Sequence, residues 1–153
     1  MPTRTNTKKI TKTAKFIWWA SIILAVLGAA DAIYLLVLKI TQNELMCVGN
    51  HGCITVNNSI YSEIYGIPVS IFGLAGYLAI LAVLLLEPRW KTATENGPLA
   101  IFGMGLVGFL FSVYLTYIEA FVLFTYCPFC VISAILMTIL FVLAIIRLVK
   151  HTF

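Results

Sequence analysis

Charged side chains are scarce in this sequence, making up 10% of its 153 residues, with 6 acidic residues against 10 basic ones. Soluble globular domains carry about 25% charged residues, and disordered chains, nucleic-acid-binding domains and coiled coils rely on dense charge. The composition therefore argues against all of these classes. The net charge of +4 is too small for an electrostatic binding surface, so we expect no nucleic-acid partner.

Long apolar runs stand where charge is missing: 61% of the residues are hydrophobic and the mean hydropathy is +1.02. Four runs reach the roughly 20 residues that a helix needs to cross a bilayer, and they cover about 16–38, 67–86, 98–124 and 127–148. The last two nearly touch, so they must form a hairpin with a very short connection. We therefore predict an all-α membrane protein, a four-transmembrane-helix bundle over residues 16–150, preceded by a basic cytoplasmic segment at 1–15.

Basic residues indicate the orientation of the bundle. All of them except Lys39 lie before the first span, between the second and third spans, or at the end of the fourth. Because four crossings bring these three regions to one side, the positive-inside rule assigns that side to the cytoplasm. Both termini are then cytoplasmic, and the segment 39–66 faces outward.

Only 4 cysteines are present, and the predicted topology puts all of them at the outer face. Cys47 and Cys53 lie in the outward segment, and Cys127 and Cys130 open the fourth span as a CxxC motif. Pro128 suits the first helical turn, which places Cys127 at or beside the N-cap, where free N–H groups stabilise a thiolate. Cys130 follows about 4.5 Å further along the helix axis and therefore lies deeper. An outer thiol beside a deeper one suits electron relay between water and membrane.

The loop pair Cys47 and Cys53 is separated by a glycine-containing stretch that can carry it between a soluble partner and the CxxC. Thiol–disulfide exchange requires such approach, because each transfer passes through a mixed disulfide. The alternatives for the four cysteines are two structural disulfides, a structural zinc site, or burial without a function. We expect no metal, because a site at the membrane surface offers little reason for one.

The cysteines belong to a longer pattern of residues. It consists of Cys47, Gly52-Cys53, Val56, Ser59, the run Gly66-Ile67-Pro68-Val69-Ser70-Ile71-Phe72-Gly73, Tyr114-Leu115 and Cys127-Pro128-Phe129-Cys130. In this order, from the first span to the last, the sequence resembles the vitamin K epoxide reductase family. A lone CxxC would be weak evidence, whereas the ordered set is specific.

The resemblance implies a membrane thiol oxidase. Such a protein reoxidises a thioredoxin-like or DsbA-like extracytoplasmic partner and passes the electrons to a membrane quinone of the ubiquinone or menaquinone type. The resemblance also implies that Cys47 and Cys53 are the shuttle pair. Cys127 would then exchange with the loop, and Cys130 would face the quinone. Many bacterial members carry a fused thioredoxin-like domain. Because this sequence ends at Phe153, we expect a separate partner protein, outside a prokaryotic plasma (inner) membrane.

Four further residues match the quinone pocket of the family. Ser59 corresponds to a serine near the quinone head group. Positions lining that pocket are matched by Val56, Phe72 and Leu115. Val69 and Ala134 replace polar residues with which vertebrate members recognise vitamin K, so simple quinone reduction is favoured over epoxide reduction.

Two carboxyl groups, Asp31 and Glu119, fall inside the predicted spans, where charge is costly. Either they move protons or bind the quinone head, or they are hydrogen-bonded groups that hold helices together. A small four-helix transporter that uses one of them as its coupling carboxylate is the alternative from another class. A thiol reductase running in the opposite direction is the second alternative.

Smaller features suggest local structure. Residues 54–65 carry Val56, Ile60 and Ile64 at helical spacing, which predicts a short helix at the mouth of the bundle. Glycine pairs in the second and third spans predict close helix packing, and these are Gly73/Gly76 and Gly105/Gly108.

Overall fold

Four long helices form the protein, and the computed structural model describes residues 4–41, 55–56 and 58–152. The helices are α1 (Arg4–Thr41), α2 (Val69–Leu86), α3 (Lys91–Phe121) and α4 (Pro128–Thr152). Stretches long and apolar enough to cross a membrane occupy Lys12–Thr41, Val69–Leu86, Glu95–Phe121 and Pro128–Lys150. Helices satisfy their backbone polar groups internally, as a bilayer requires. The chain is a multi-pass membrane protein, and the predicted four-helix bundle is confirmed.

The helices form a ring in which each one has two neighbours: α1 and α3 both pack against α2 and α4. Because each crossing reverses the direction of the chain, one end of the bundle gathers the ends of α1 and α3 with the beginnings of α2 and α4. We call this end the mouth. The buried centre is built mainly from Ala25 and Ala29 of α1, Tyr77, Ile80 and Leu84 of α2, Ile101 of α3, and Met137, Leu140 and Ala144 of α4.

A mostly buried ion pair holds the opposite end of the bundle. Arg147 Nη2 of α4 donates to both carboxylate oxygens of Glu87, just after α2, at 2.6 and 2.5 Å. Their side chains are only 14% and 12% exposed. The Trp18 indole of α1 donates to the Leu84 carbonyl at 3.0 Å, so α1, α2 and α4 are tied together at this end.

Helix ends differ from the ends of the apolar runs. α1 begins at Arg4, so the predicted basic segment continues into the first helix. The third span was predicted to begin at Pro98, but α3 begins at Lys91 and contains this proline. At its other end α3 stops at Phe121, and Phe124 adopts a positive φ of 51° in the connection to α4. Apolar composition alone therefore does not fix a helix end: at Lys91 the helix starts before the apolar run, and at Phe121 it stops inside the run.

The short helix predicted at 54–65 is wrong for residues 58–65, whereas residues 55–56 are helical and residues 54 and 57 lie outside the described part of the chain. Ile60–Ser62 form one 3₁₀ turn, followed by a hairpin of β1 (Glu63–Ile64) and β2 (Ile67–Pro68). Tyr65 and Gly66 form its two-residue turn with φ values of 54° and 79°, the pair of positive values that a tight hairpin requires.

Local hydrogen bonds explain why this stretch does not continue as a helix. The hydroxyl of Ser59 donates to the Val56 carbonyl at 2.8 Å, and that of Ser62 to the Ser59 carbonyl at 2.7 Å. Such bonds compete with the helical ladder for backbone acceptors. We call residues 55–56 and 58–68 the lid segment, because it covers the mouth.

The glycine pairs have different roles. A Cβ on Gly108 would lie 2.8 Å from Met137, and one on Gly105 would lie 3.4 Å from Phe141, so close packing of α3 on α4 is confirmed there. The same expectation is wrong for Gly73 and Gly76. A Cβ on either would meet nothing within 4 Å, because both face a cavity inside the bundle.

Candidate active site

The CxxC motif forms the first turn of α4 at the mouth. The helix begins at Pro128, and the Val131 N–H donates to the Cys127 carbonyl at 3.0 Å, so Cys127 is the N-cap residue as predicted. The side chains of Cys127 and Cys130 are in hydrogen-bonding contact with each other. Two thiols in direct contact can form a disulfide without a large rearrangement of the helix.

Cys127 is fully buried although it occupies the outer end of the helix. It is 0% exposed and packs against Leu35 and Leu38 of α1. The intervening Phe129 stacks on Tyr34 of α1 with ring centroids 4.5 Å apart, which holds the start of α4 against α1. Although Cys127 lies at the outer end of the helix, its thiol is therefore not exposed to water.

Glu119 lies beside both cysteines. It stands in the last turn of α3 and is 3% exposed. Its Oε2 accepts the Cys127 N–H at 3.4 Å, and its carboxyl group is hydrogen-bonded to the Cys130 thiol. A negative group beside a helix N-terminus is favoured by the helix dipole. The carboxyl thus joins α3 to α4 and also touches a reactive sulfur.

A cavity of about 600 Å³ extends from the mouth into the bundle. Its wall is mostly apolar with a few polar groups, and its volume lies within the range of ordinary small-molecule sites. Six of the predicted site residues line it together: Val56, Ser59, Phe72, Leu115, Glu119 and Cys130. Cys127 does not line it, so the two thiols face different surroundings.

The lid segment forms part of the wall of this cavity at the mouth. Val56 lines the cavity and also packs against the cluster that buries Cys127. The segment is tied to the end of α1 by Lys39, whose Nζ lies 2.8 Å from Ser62 Oγ and 3.0 Å from Glu63 Oε1. The one basic residue predicted to face outward therefore anchors the lid.

Asp31 is placed differently from Glu119. It does not line the cavity, and its Oδ2 is buried without a hydrogen-bond partner. It lies close enough to Tyr77 to interact electrostatically. Of the two carboxyl groups predicted to lie inside the spans, only Glu119 contacts the thiols.

Tyr77 and Ser133 form a polar pair that the sequence did not reveal. The Tyr77 hydroxyl lies 2.9 Å from the Ser133 carbonyl and 3.1 Å from its hydroxyl, and both residues line the cavity. The sequence signal that could have indicated this pair is a tyrosine in the middle of an apolar span, because a buried phenol usually has a hydrogen-bond partner.

The proposed shuttle pair, Cys47 and Cys53, lies outside the described residues. Its role stays a prediction. Among residues 4–41, 55–56 and 58–152, no three or more His, Cys, Asp or Glu side chains gather in a way that could hold a metal ion.

The four spans and the paired thiols at a membrane-embedded cavity define a multi-pass membrane protein with a thiol redox site. Comparison with known proteins agrees: the model of the vitamin K epoxide reductase family matches residues 19–145. The chain belongs to this family, as its motifs had indicated.

A curated relative is the thiol-disulfide oxidoreductase LTO1 of Arabidopsis thaliana. The two chains are 31% identical over 121 residues, which cover 75% of this chain and 32% of the relative. The chain therefore matches about a third of the length of that protein.

Proposed function

We propose that this protein is a thiol oxidase that transfers electrons from an extracytoplasmic thioredoxin-like protein to a membrane quinone. One observation carries the proposal: Cys130 lies in the wall of a large apolar cavity while it contacts the buried Cys127. An electron acceptor that dissolves in the membrane can reach such a cavity, whereas a protein cannot. The name of the Arabidopsis relative supports thiol–disulfide chemistry.

The residues of the cavity fit a quinone. The volume of about 600 Å³ and the apolar wall suit a hydrophobic ring with a tail. Ser59, Val56, Phe72 and Leu115 would hold it beside Cys130. When bound, a quinone supplies a two-electron, two-proton acceptor, and the protein supplies position and electrostatics.

Glu119 is the group best placed to manage the thiol protons. Oxidation of the two thiols to a disulfide releases two electrons and two protons, and a thiol reacts as its thiolate. The carboxyl touches the Cys130 sulfur, so it can take that proton within the cavity wall. Because its other contact is the Cys127 N–H, its position is fixed relative to the reacting sulfur.

Cys127 exchanges with the shuttle pair in this scheme. Electrons enter at Cys47 and Cys53 from the partner protein, pass to the Cys127–Cys130 disulfide, and leave through the cavity. Since Cys127 is fully buried beneath the lid segment, sulfur-to-sulfur contact requires the lid to move. We expect the Lys39 contacts with the lid to control how often that happens.

Lid opening can be measured through the accessibility of Cys127. Replacing Lys39 with Met removes the bond to Ser62 and the ion pair with Glu63. Since partly exposed ion pairs contribute at most about 1 kcal/mol, we expect alkylation of Cys127 to become about 2- to 5-fold faster. Lys91→Met, on a residue before the third span, is the control. Equal rates in Lys39→Met and the parent protein would contradict the assignment of the lid.

The direction of electron flow is part of the proposal. We place the mouth and the loop cysteines outside a prokaryotic plasma membrane, with both termini in the cytoplasm. The transporter alternative is less favoured, because Glu119 contacts the redox thiols rather than standing alone. A reductase would use the same contacts in reverse, since direction depends on the reduction potentials of the pairs.

Steady-state turnover tests the proposal. Purified full-length protein is mixed anaerobically with a quinone and either a small dithiol or a reduced thioredoxin-like protein, and quinone absorbance is followed. Cys127→Ser and Cys130→Ser should abolish turnover with both donors. Cys47→Ser should stop turnover with the protein donor and spare some with the small dithiol. Equal loss with both donors would contradict the shuttle role, and turnover without Cys130 would contradict the whole scheme.

A further inference from the structure

The cavity has a second polar point, one helical turn beyond the dithiol. Ser133 follows Cys130 by three residues, so it lies on the same face of α4 and about 4.5 Å further from the mouth. Both residues line the cavity. Tyr77 of α2 reaches across to Ser133, with its hydroxyl 2.9 Å from the carbonyl oxygen and 3.1 Å from the hydroxyl.

Tyr77 is held rigidly in this position. It is 1% exposed, and its ring packs directly over Gly28 of α1, where a Cβ would overlap it. Three helices therefore fix the phenol: α1 through the glycine, α2 through its backbone, and α4 through Ser133. A group fixed in this way loses little entropy when it orders a neighbour.

The Tyr77–Ser133 pair has one hydroxyl hydrogen that can be donated to a ligand in the cavity. The two hydroxyl groups carry two hydrogens between them. The Tyr77 hydroxyl donates to the Ser133 carbonyl. The hydrogen of the Ser133 hydroxyl can then point either to the Tyr77 oxygen or to an acceptor inside the cavity.

We propose that the Ser133 hydroxyl, oriented by Tyr77, donates a hydrogen bond to the bound quinone and makes Ser133 a specificity-determining residue. The two carbonyl oxygens of a para-quinone lie on opposite sides of its ring, and the cavity presents Cys130 and Ser133 as two polar points along α4. Val69 and Ala134, which also line it, cannot donate from their side chains. The inference rests on the proposed function, because it needs a quinone in this cavity.

Infrared difference spectroscopy tests the proposal directly. The oxidised full-length protein in detergent is mixed with a short-tailed, fully substituted benzoquinone, labelled isotopically at its carbonyl carbons. A hydrogen bond lowers the stretching frequency of the carbonyl that accepts it. We expect one lowered band in the parent protein, its loss in Ser133→Ala and its weakening in Tyr77→Phe, which keeps the ring over Gly28.

The variants that lose or weaken the lowered carbonyl band should also bind the same quinone more weakly. Loss of one hydrogen bond corresponds to about 3- to 10-fold weaker binding, measured by calorimetry. Thr138→Val on α4 is the control, because its hydroxyl donates to its own helix at the Ala134 carbonyl at 2.8 Å. It should behave as the parent protein does.

The outcomes separate this inference from the proposed function. A quinone that binds the parent protein with the same carbonyl bands in Ser133→Ala and Tyr77→Phe overturns the role of Ser133 alone. A lowered band that vanishes in Thr138→Val as well overturns it too. Absence of any quinone binding to the parent protein overturns the proposed function itself.

Discussion

Glu119→Gln is the substitution that isolates proton transfer at the dithiol. The carboxylate makes two contacts at the mouth, with the Cys127 N–H at 3.4 Å and with the Cys130 thiol. Glutamine has nearly the same shape and keeps a carbonyl oxygen for the N–H. It cannot accept the thiol proton. The variant should therefore fold normally and lose one chemical function.

The size of the effect follows from the role of a general base. A positioned base contributes about 10²- to 10⁴-fold, so we expect the Glu119→Gln variant to oxidise its dithiol at least about 100-fold more slowly. The assay is a single turnover, in which reduced protein is mixed anaerobically with a quinone and thiol loss is followed by stopped flow. Melting of the variant should stay close to that of the parent protein, because its backbone contact survives.

Asp31→Asn provides the matched control, since Asp31 is a second carboxyl within the spans that does not line the cavity. We expect its single-turnover rate to stay within about threefold of the parent rate. A Glu119→Gln rate in that same range would refute the proton role of Glu119. Equal losses of rate in both variants would show that a carboxyl group within the spans matters even when it does not contact the thiols.

Two stability predictions follow from packing. Gly28→Ala places a methyl group where the Tyr77 ring lies, whereas the methyl group of Gly73→Ala meets nothing within 4 Å. Overpacking should lower the free energy of unfolding of the Gly28→Ala variant by about 1–3 kcal/mol, measured by thermal unfolding in detergent. Equal melting of the two variants would contradict this packing. Arg147→Met removes the guanidinium that pairs with the mostly buried carboxylate of Glu87. We expect it to destabilise the bundle by about 3–5 kcal/mol, and the double variant with Glu87→Met should recover most of that loss. Full additivity of the two substitutions would contradict a direct pair.

Features set by the bilayer and by local chemistry could be predicted from the sequence. The number of helices follows from the length of apolar run that crosses a membrane. The N-cap position of Cys127 follows from Pro128, whose missing N–H is harmless only in the first turn. The family resemblance predicts four pocket residues, and all four line one cavity: Val56, Ser59, Phe72 and Leu115.

Features set by the contact of one helix with another could not be predicted. The pairing of Tyr77 with Ser133 and its fit over Gly28 depend on how α1, α2 and α4 are rotated against each other, which a single sequence does not specify. The burial of Cys127 is similar, because it results from packing against Leu35 and Leu38 of α1. Hydrophobic spacing also misled at the lid, where serine hydrogen bonds and the Tyr65-Gly66 turn produced a hairpin.

The most direct measurement of the central claim is the stoichiometry of a single oxidation. A variant with Cys47 and Cys53 both replaced by serine is fully reduced and mixed anaerobically with excess quinone. Disulfides are then mapped by mass spectrometry and quinol is quantified. We predict a Cys127–Cys130 disulfide and one quinol formed for each protein molecule. Thiols that stay reduced, with no quinol produced, would contradict the account.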